Sequence, residues 1–315
     1  MGRIPRRHSY EYCLRISIYN TDRPILNEIR ETWGGTLTSV ASRNPSWKPS
    51  YALIWTNAAA ARFLGEIAPY LRVKSRQAAV LEQFQRRLVK CRRRRDRRGR
   101  LLPLAKREKE VREAFYRRIK NLNMKGSASA TGRLRLYPRV RSSGVPSVEY
   151  LAGFMDAEGC LRLTKTQFEG WNPRYAARIQ LSNTNRRVLD DLRQKFGGIL
   201  TNHPRRNLRW KDEYQLVWIG RTVEPILRAI APYLRIKRKH ARILLQFIDH
   251  RKKTRQGRIG RGFGRLPKHV IAYREARYVR MKELNTKGPP SLWARARDQA
   301  SRFARPRERN GSRAT

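Results

Sequence analysis

A nine-residue segment, Leu151 to Gly159, has the residue types and spacing in this chain that point most directly to chemistry. It predicts a short helix in which Gly153 and Ala157, four residues apart, share a face that a second helix backbone can approach closely. Glu158 falls in the last turn, and Gly159 is a natural residue to end the helix. Because a carboxylate is unfavourable at the negative end of the helix macrodipole, a bound metal ion would relieve the conflict. Without such a ligand, the same pattern describes an ordinary packed helix.

The segment resembles the signature of the LAGLIDADG homing endonucleases, from which it departs at Phe154, Met155 and Glu158 by related hydrophobic residues and the other acid. The resemblance implies a site-specific endonuclease that hydrolyses phosphodiester bonds of double-stranded DNA with Mg²⁺ or Mn²⁺. It also implies that Glu158 is the metal-binding acid. It further implies that the gene belongs to a mobile intron, an intein or a free-standing selfish element.

Composition agrees with a polyanionic partner. The 315 residues include 73 Lys and Arg against 24 Asp and Glu, a formal charge of +49, which favours nucleic acid as the partner. A ribosomal-type RNA binder is equally basic. Cys13, Cys91 and Cys160 are too scattered for a disulfide framework or a zinc site. No apolar run of about 18 residues is present, so we expect no membrane span and a soluble intracellular protein, in a bacterial or phage cytoplasm or an organelle.

The sequence contains an internal repeat. Tyr12 matches Tyr175, an offset of 163 residues, and further identities follow at the same offset without a gap. They are Asn20-Thr21 with Asn183-Thr184, Gly34-Gly35 with Gly197-Gly198, Trp47, Tyr51 and Trp55 with Trp210, Tyr214 and Trp218, and the segment 68–72 with 231–235. Later matches, such as Arg112-Glu113-Ala114 with Arg274-Glu275-Ala276, have an offset of 162. The chain is therefore interpreted as a duplicated domain.

Each copy is predicted to be mixed α and β. Residues 175–182 alternate as a strand does, and an amphipathic helix ending at Gly197-Gly198 follows them. A hairpin and two helices complete the copy. The fold class is thus α+β, and the family resemblance implies tandem αββαββα repeats that form a pseudo-twofold saddle of two antiparallel sheets. We place the first repeat at 1–126, a linker at 127–147, the second repeat at 148–288 and a basic, disordered tail at 289–315.

A sheet with one apolar face leaves the other face free to read bases in the major groove, while the surplus cations grip phosphates. An ordinary solvated face is an equally good interpretation of each single residue. The candidate DNA-binding residues are Arg15, Ser17, Tyr19, Arg43 and Lys48 in copy one and Arg178, Gln180, Ser182, Arg205, Arg206, Asn207 and Arg209 in copy two.

The resemblance also assigns residues around the catalytic centre. Lys237 and its counterpart Lys74 match a family position near that centre, where a cation polarises water or stabilises phosphate charge. Asn183 and Asn20 match a polar position that orders active-site water. The alternatives are a phosphate grip for each lysine and a strand end or helix N-cap for each asparagine.

Copy one departs from the family pattern. Positions equivalent to 151–159 would precede Met1, so we expect the first repeat to lack its motif helix and the chain to supply a single motif acid. Three explanations are open: a truncated or misassigned start, a degenerate copy that binds or nicks, and pairing of two chains through their single helices. A monomer with internal pseudo-symmetry is the preferred state, with a homodimer as the alternative. The rival functions are a non-cleaving intron-splicing maturase, with intron RNA as partner, and a DNA-binding protein.

Overall fold

The structure is a computed structural model of the whole chain. It describes residues 1–6, 9–41, 47–91, 96–98, 102–123, 145–167, 169, 171–205, 212–254 and 266–286. The predicted linker lies mostly outside these residues, and the predicted tail lies entirely outside them. Within the described ranges, no helix is long and apolar enough to cross a membrane.

The first half of the chain begins with strands and then alternates helices with a hairpin. Its elements are β1 (Gly2–Arg6), β2 (Ser9–Cys13), β3 (Arg15–Asn20), α1 (Arg23–Trp33), β4 (Thr36–Val40), β5 (Ser50–Thr56), α2 (Asn57–Ile67), α3 (Ser75–Lys90) and α4 (Lys106–Asn123). β1 pairs with β2, and β3, β5 and β4 form an antiparallel sheet in that order. Only Leu14 separates β2 from β3, and its side chain is fully buried.

The second half begins with an additional helix and then follows a similar order, with one strand, β7, in the place of β2 and β3. Its elements are α5 (Val148–Glu158), β6 (Gly159–Thr166), β7 (Arg174–Asn183), α6 (Arg186–Phe196), β8 (Ile199–His203), β9 (Glu213–Ile219), α7 (Val223–Ile230), α8 (Arg238–Lys253) and α9 (Lys268–Leu284). β6, β7, β9 and β8 form a four-stranded antiparallel sheet in that order. The predicted order αββαββα is thus present from α5 to α7, followed by two further helices.

The duplication is visible in individual contacts. The indole of Trp55 donates a hydrogen bond of 2.9 Å to the carbonyl oxygen of Trp33, and Trp218 donates one of 2.9 Å to Phe196. Both donors and both acceptors are related by the offset of 163. Because each bond ties a central strand to the end of the preceding helix, the two halves build their sheets against their helices in the same way.

Each half has its own hydrophobic core. Trp55 and Phe84 are among the fully buried side chains of the first, and Trp218 and Phe247 hold the equivalent places in the second. The halves also meet: Val73 packs against the second core, and Arg235 forms an ion pair of 3.6 Å with Glu28.

The glycine pair after α6 turns the chain into β8. Gly198 has φ +100°, and a Cβ there would lie 3.0 Å from Leu216 Cδ1 and 3.1 Å from the Trp218 ring. We expect Gly198→Ala to destabilise the protein by about 2–3 kcal/mol, since it adds both a disfavoured backbone angle and a clash. The change in the free energy of unfolding is measured in urea. Gly65→Ala is the control. Gly65 lies in helix α2, and a Cβ there would meet no atom within 4 Å outside its own helix backbone. Alanine at this position should stabilise the protein by about 0.5–1 kcal/mol. Equal stability of the two variants would contradict this account.

Of the two structural alternatives for Asn20 and Asn183, the strand end is correct and the helix N-cap is not. Asn20 and Asn183 end their strands as predicted, but they are not the helix N-caps: Asp22 caps α1 and Asn185 precedes α6. Each asparagine oxygen instead accepts from the backbone N–H two residues on, at 2.9 and 2.8 Å. A strand-end asparagine here shapes the turn that leads into the helix.

Candidate active site and DNA-facing surface

Helix α5 forms because its ends are well defined and one side is apolar. The Ser147 hydroxyl accepts a hydrogen bond of 3.1 Å from the Tyr150 N–H, which satisfies one of the free donors of the first turn. Leu151, Ala152 and Met155 are completely buried in the second core. This packing fixes the rotation of the helix about its axis and so decides which motif residues face outward.

The outward residues include the two small ones and the acid. Gly153, Ala157 and Glu158 are exposed, and a Cβ at Gly153 would meet no atom within 4 Å. The face predicted to admit a second helix is therefore open in the described part of the chain. Its use as a helix interface remains a proposal.

Gly159 ends α5, but not in the left-handed conformation that usually favours glycine there. Its φ and ψ are −82° and 159°, which any residue adopts. Glycine is required by space instead, since a Cβ would lie 2.6 Å from the Met155 carbonyl oxygen and against the Met155 sulfur. The chain consequently passes directly from the helix into β6, which holds Glu158 at the edge between the two.

The other motif acid, Asp156, anchors a distant loop. Its carboxylate accepts backbone hydrogen bonds from Arg235 at 2.6 Å, Ile236 at 3.2 Å and Lys237 at 2.8 Å. Oδ2 accepts from Arg235 and Ile236, and Oδ1 accepts from Lys237. This role of Asp156 was not predicted, because its partners lie about eighty residues away in the sequence and no local pattern indicates them.

This anchor brings Lys237 beside the end of α5. Its ammonium group donates to the Asp156 carbonyl oxygen. Burial lowers the pKa of Lys237, while the negative charges of Asp156, Cys160 and Glu158 oppose that shift. The Lys237 ammonium group therefore lies against the last turn of α5, two residues before Glu158. Lys74, the counterpart in the first half, is exposed at the start of α3.

The predicted polar face of the second sheet is present. Ala177, Ile179 and Leu181 are buried, whereas Arg178, Gln180 and Ser182 are only half-buried. In the first sheet, Arg15 and Tyr19 are exposed and Ser17 is half-buried. The alternation is confirmed, and contact of these side chains with DNA remains a proposal.

Arg162 joins this face and was not predicted. It lies directly opposite Arg178 in the β6–β7 register, and the buried Nε atoms of both have no hydrogen-bond partner. One Arg162 nitrogen donates to Gln180 at 3.4 Å. Like charges in opposed positions are unfavourable unless something compensates them, so this pair favours a polyanion on the sheet. Alternation within β6 carried the signal, since Leu161 and Leu163 are buried around it.

The loop residues predicted to touch DNA are only partly within the described chain. Lys48 is exposed. Arg205 is exposed as well, but it forms an ion pair with Glu213. Arg43, Arg206, Asn207 and Arg209 lie outside the described residues.

Comparison with known proteins agrees with this geometry. Residues 151–249 match the family model described as LAGLIDADG endonuclease. The DNA endonuclease I-CvuI of Chlorella vulgaris is 32% identical over 110 residues, which are 34% of this chain and 66% of that protein. The match thus spans slightly less than two thirds of that relative's length. The second half of this chain is therefore similar in sequence to the LAGLIDADG endonucleases.

Solved structures establish the fold over a longer stretch. The LAGLIDADG homing endonuclease I-GzeII, solved in complex with a DNA target, superposes with a TM-score of 0.60 at 14% identity over 90% of this chain and 91% of that one. I-SmaMI, solved with an uncleaved DNA target and calcium ions, gives 0.60 at 11% identity over 86% and 87%. The predicted fold of tandem LAGLIDADG repeats is therefore confirmed across both halves.

The LAGLIDADG helix offers limited metal ligation by itself. No group of three or more His, Cys, Asp or Glu side chains that could hold a metal ion occurs among the described residues. Glu158 is nevertheless exposed and forms no hydrogen bond or ion pair with them. Mg²⁺ is commonly held by one or two carboxylates together with substrate phosphates and water. The exposed Glu158 fits that type of site, in which DNA supplies further oxygen ligands.

Proposed function

We propose that this chain is a site-specific double-stranded DNA endonuclease of the homing type, which hydrolyses phosphodiester bonds with a divalent metal ion. The observation that carries the proposal is the exposed Glu158 at the end of the motif helix, near the half-buried Lys237, whose ammonium group binds the Asp156 carbonyl oxygen. A carboxylate and a cation side by side match the needs of phosphodiester hydrolysis, in which a metal and a positive charge stabilise the developing negative charge.

The position of each residue suggests a different role in the reaction. Glu158 would hold Mg²⁺ or Mn²⁺, which supplies an activated water and charge stabilisation when it is bound. Lys237, held at the last turn of the same helix by the Asp156 carbonyl oxygen, would stabilise negative charge on the phosphate or orient the water. Asp156 does not reach the substrate in this scheme. It fixes the backbone of the loop from which Lys237 projects, and Asn183 remains a candidate for ordering water from the strand side.

The DNA would lie across the polar faces of the two sheets. Arg178, Gln180 and Ser182 would read base edges, and Arg162 would bind phosphates beside them. Arg15, Ser17 and Tyr19 would act in the first sheet. The charge of +49 supports tight, strongly salt-dependent binding.

The open face of α5 supports a role for a second helix. We infer that Gly153 and Ala157 allow close packing against it, and that a second acid then stands next to Glu158. This second helix would come either from a longer form of the chain or from α5 of a second copy, two of the alternatives that the sequence left open. Within the described residues, α5 is the only helix with this motif.

The proposal is tested by selecting tightly bound duplexes from a randomised DNA library and incubating them with the protein. Double-strand cuts should appear with Mg²⁺ or Mn²⁺ and disappear when EDTA removes the metal, while binding persists, since phosphate contacts by Lys and Arg require no metal. Products are resolved on denaturing and native gels.

One observation favours a second candidate, a non-cleaving DNA-binding protein or intron-splicing maturase. The described residues contain a single exposed motif acid, Glu158, and no three-ligand metal cluster. Tight binding with no cut or nicked product at any metal concentration would support this candidate over the nuclease. Competition by intron RNA as strong as that by duplex DNA would then identify a maturase.

A further inference from the structure

The two halves differ at a buried ionic cluster between their last two helices. In the first half, Glu108 lies in the first turn of α4 and binds two arginines. Its carboxylate accepts from Arg112 Nε at 2.8 Å and from Arg87 at 3.0 and 2.6 Å. Arg112 also donates to the Cys91 carbonyl oxygen at 3.1 Å. Two cations thus share one nearly buried acid.

The second half keeps the bases and loses the acid. By the repeat offsets, Arg274 replaces Arg112, His250 replaces Arg87, and Val270 replaces Glu108. Even the minor contact is retained, since Arg274 donates to the Thr254 hydroxyl at 2.9 Å where Arg112 meets Cys91. The first turn of α9 consequently contains no acidic residue.

Arg274 and His250 each have a buried side-chain nitrogen without a hydrogen-bond partner. Arg274 is 9% exposed, and neither its Nε nor the His250 Nδ1 has a hydrogen-bond partner in the structure. A buried guanidinium without a carboxylate is costly, because desolvation of the charge is not compensated. Burial and the charge of Arg251 lower the pKa of Arg274.

Among the described residues, the neighbouring acids are bound to other partners. Burial is the main reason that the pKa of His250 is lowered, and the nearby Arg274, Arg277, His269 and Lys253 lower it further. Glu275, next to Arg274 in sequence, is bound to Lys165 and Tyr175. Asp249 is bound to Arg228. The adjoining segment 255–265 contains no Asp or Glu in its sequence.

We propose that this cluster, formed by His250, Thr254 and Arg274 beside the start of α9, binds a phosphate-class oxyanion in the place where the first half has the Glu108 carboxylate. A tetrahedral oxyanion offers the acceptors that the two unused nitrogens lack. It would also lie at the positive end of α9, where the helix dipole favours negative charge. Exposed His269 and half-buried Thr254 border the cluster on the solvent side. The ligand is either free phosphate or a phosphate of a nucleic acid backbone.

The test compares thermal unfolding of the full chain in sodium phosphate and in sodium chloride of equal ionic strength. Wild type should gain about 2–4 °C more from phosphate than Val270→Glu does, because the new carboxylate restores the Glu108 arrangement and occupies the site. Val270→Glu should also unfold at a higher temperature than wild type in chloride. The matched variant Glu108→Val should show the opposite, a lower unfolding temperature and an added response to phosphate.

A second variant keeps the proposal testable if Val270→Glu fails to fold. Arg274→Leu removes the guanidinium and should lose the extra response to phosphate as well. Equal responses to phosphate in wild type and in each folded variant would overturn the proposal. Repeating the series with a short DNA duplex of unrelated sequence identifies the source of the phosphate. If the duplex protects wild type more than Val270→Glu, the site binds backbone phosphates. If only inorganic phosphate does so, the site binds a free anion.

Discussion

Substituting Glu158 by glutamine is expected to reduce the rate of DNA cleavage at saturating target by about 10³-fold or more, in the range seen when a charge-stabilising group is removed from an active site. The amide keeps the size of the side chain but loses the negative charge that would hold the metal ion. Because Glu158 is exposed and no hydrogen bond to it is present in the described part of the chain, the fold should be unaffected. The measurement is single-turnover cleavage of a selected target with excess protein and Mg²⁺.

The control is Glu149→Gln, the same substitution at the other end of the same helix. Glu149 lies in the first turn of α5, where its charge favours the helix dipole. The variant changes the net charge by the same amount but lies far from Lys237 along the helix, so its cleavage rate should stay within about twofold of wild type while stability falls by about 0.3–1 kcal/mol. Equal cleavage by wild type and Glu158→Gln would remove Glu158 from the mechanism.

Target affinity separates catalysis from binding. Without the metal, Glu158→Gln should bind DNA at least as tightly as wild type, since a carboxylate near the scissile phosphates repels them and the amide does not. A loss of affinity equal to the loss of cleavage would mean that the substitution disturbs the DNA-binding surface instead of the reaction.

Much of the fold was predictable because its determinants are local or repeated. The alternation in residues 175–182 specified which side of β7 is buried, and the identities at a fixed offset predicted that contacts between the identical residues of one half recur in the other. The Trp55 and Trp218 hydrogen bonds show how far this extends, since both donors and both acceptors keep the same spacing. Periodicity and duplication are thus readable without coordinates.

The contacts that build the candidate site were harder to predict from the sequence. Asp156 and Glu158 lie two residues apart in one motif, and the sequence predicted a role for Glu158 alone. In the structure, the Asp156 carboxylate binds the backbone of the loop 235–237, while Glu158 is exposed. This difference depends on which residues the second core buries. The opposition of Arg162 and Arg178 depends on the register of β6 against β7, and a shift of one residue would have placed Arg162 on the apolar face.

The comparison of the two halves adds what neither half shows alone. A buried arginine in a protein of charge +49 is unremarkable by itself. Arg274 becomes informative because Arg112 occupies the same position with an acid partner. In a duplicated chain, one copy thus acts as an internal reference state for the other, and a lost partner indicates either a weakened element or an external ligand.

Replacing Asp156 by asparagine is expected to destabilise the protein by about 2–4 kcal/mol, which is large for an isosteric change at a half-buried position. One carboxylate oxygen accepts from Arg235 and Ile236, and the other accepts from Lys237. The amide keeps a single oxygen, so its NH₂ group must face at least one backbone N–H. Hydrogen bonds to a charged acceptor contribute about 1.5–3 kcal/mol each, and an unsatisfied donor adds a further penalty. The free energy of unfolding in urea measures the total.

The same substitution should free the loop that carries Lys237. Hydrogen exchange at the amides of residues 235–237 should accelerate in Asp156→Asn, because their acceptor is weakened or lost. It should remain unchanged in Glu158→Gln, which differs by the same chemistry two residues away in the same helix. The pair thus makes opposite predictions: Asp156→Asn loses stability and loop protection together with cleavage, whereas Glu158→Gln loses cleavage alone. Unaltered exchange at 235–237 in Asp156→Asn would show that the loop holds its position without the carboxylate, and Asp156 would then have no positioning role.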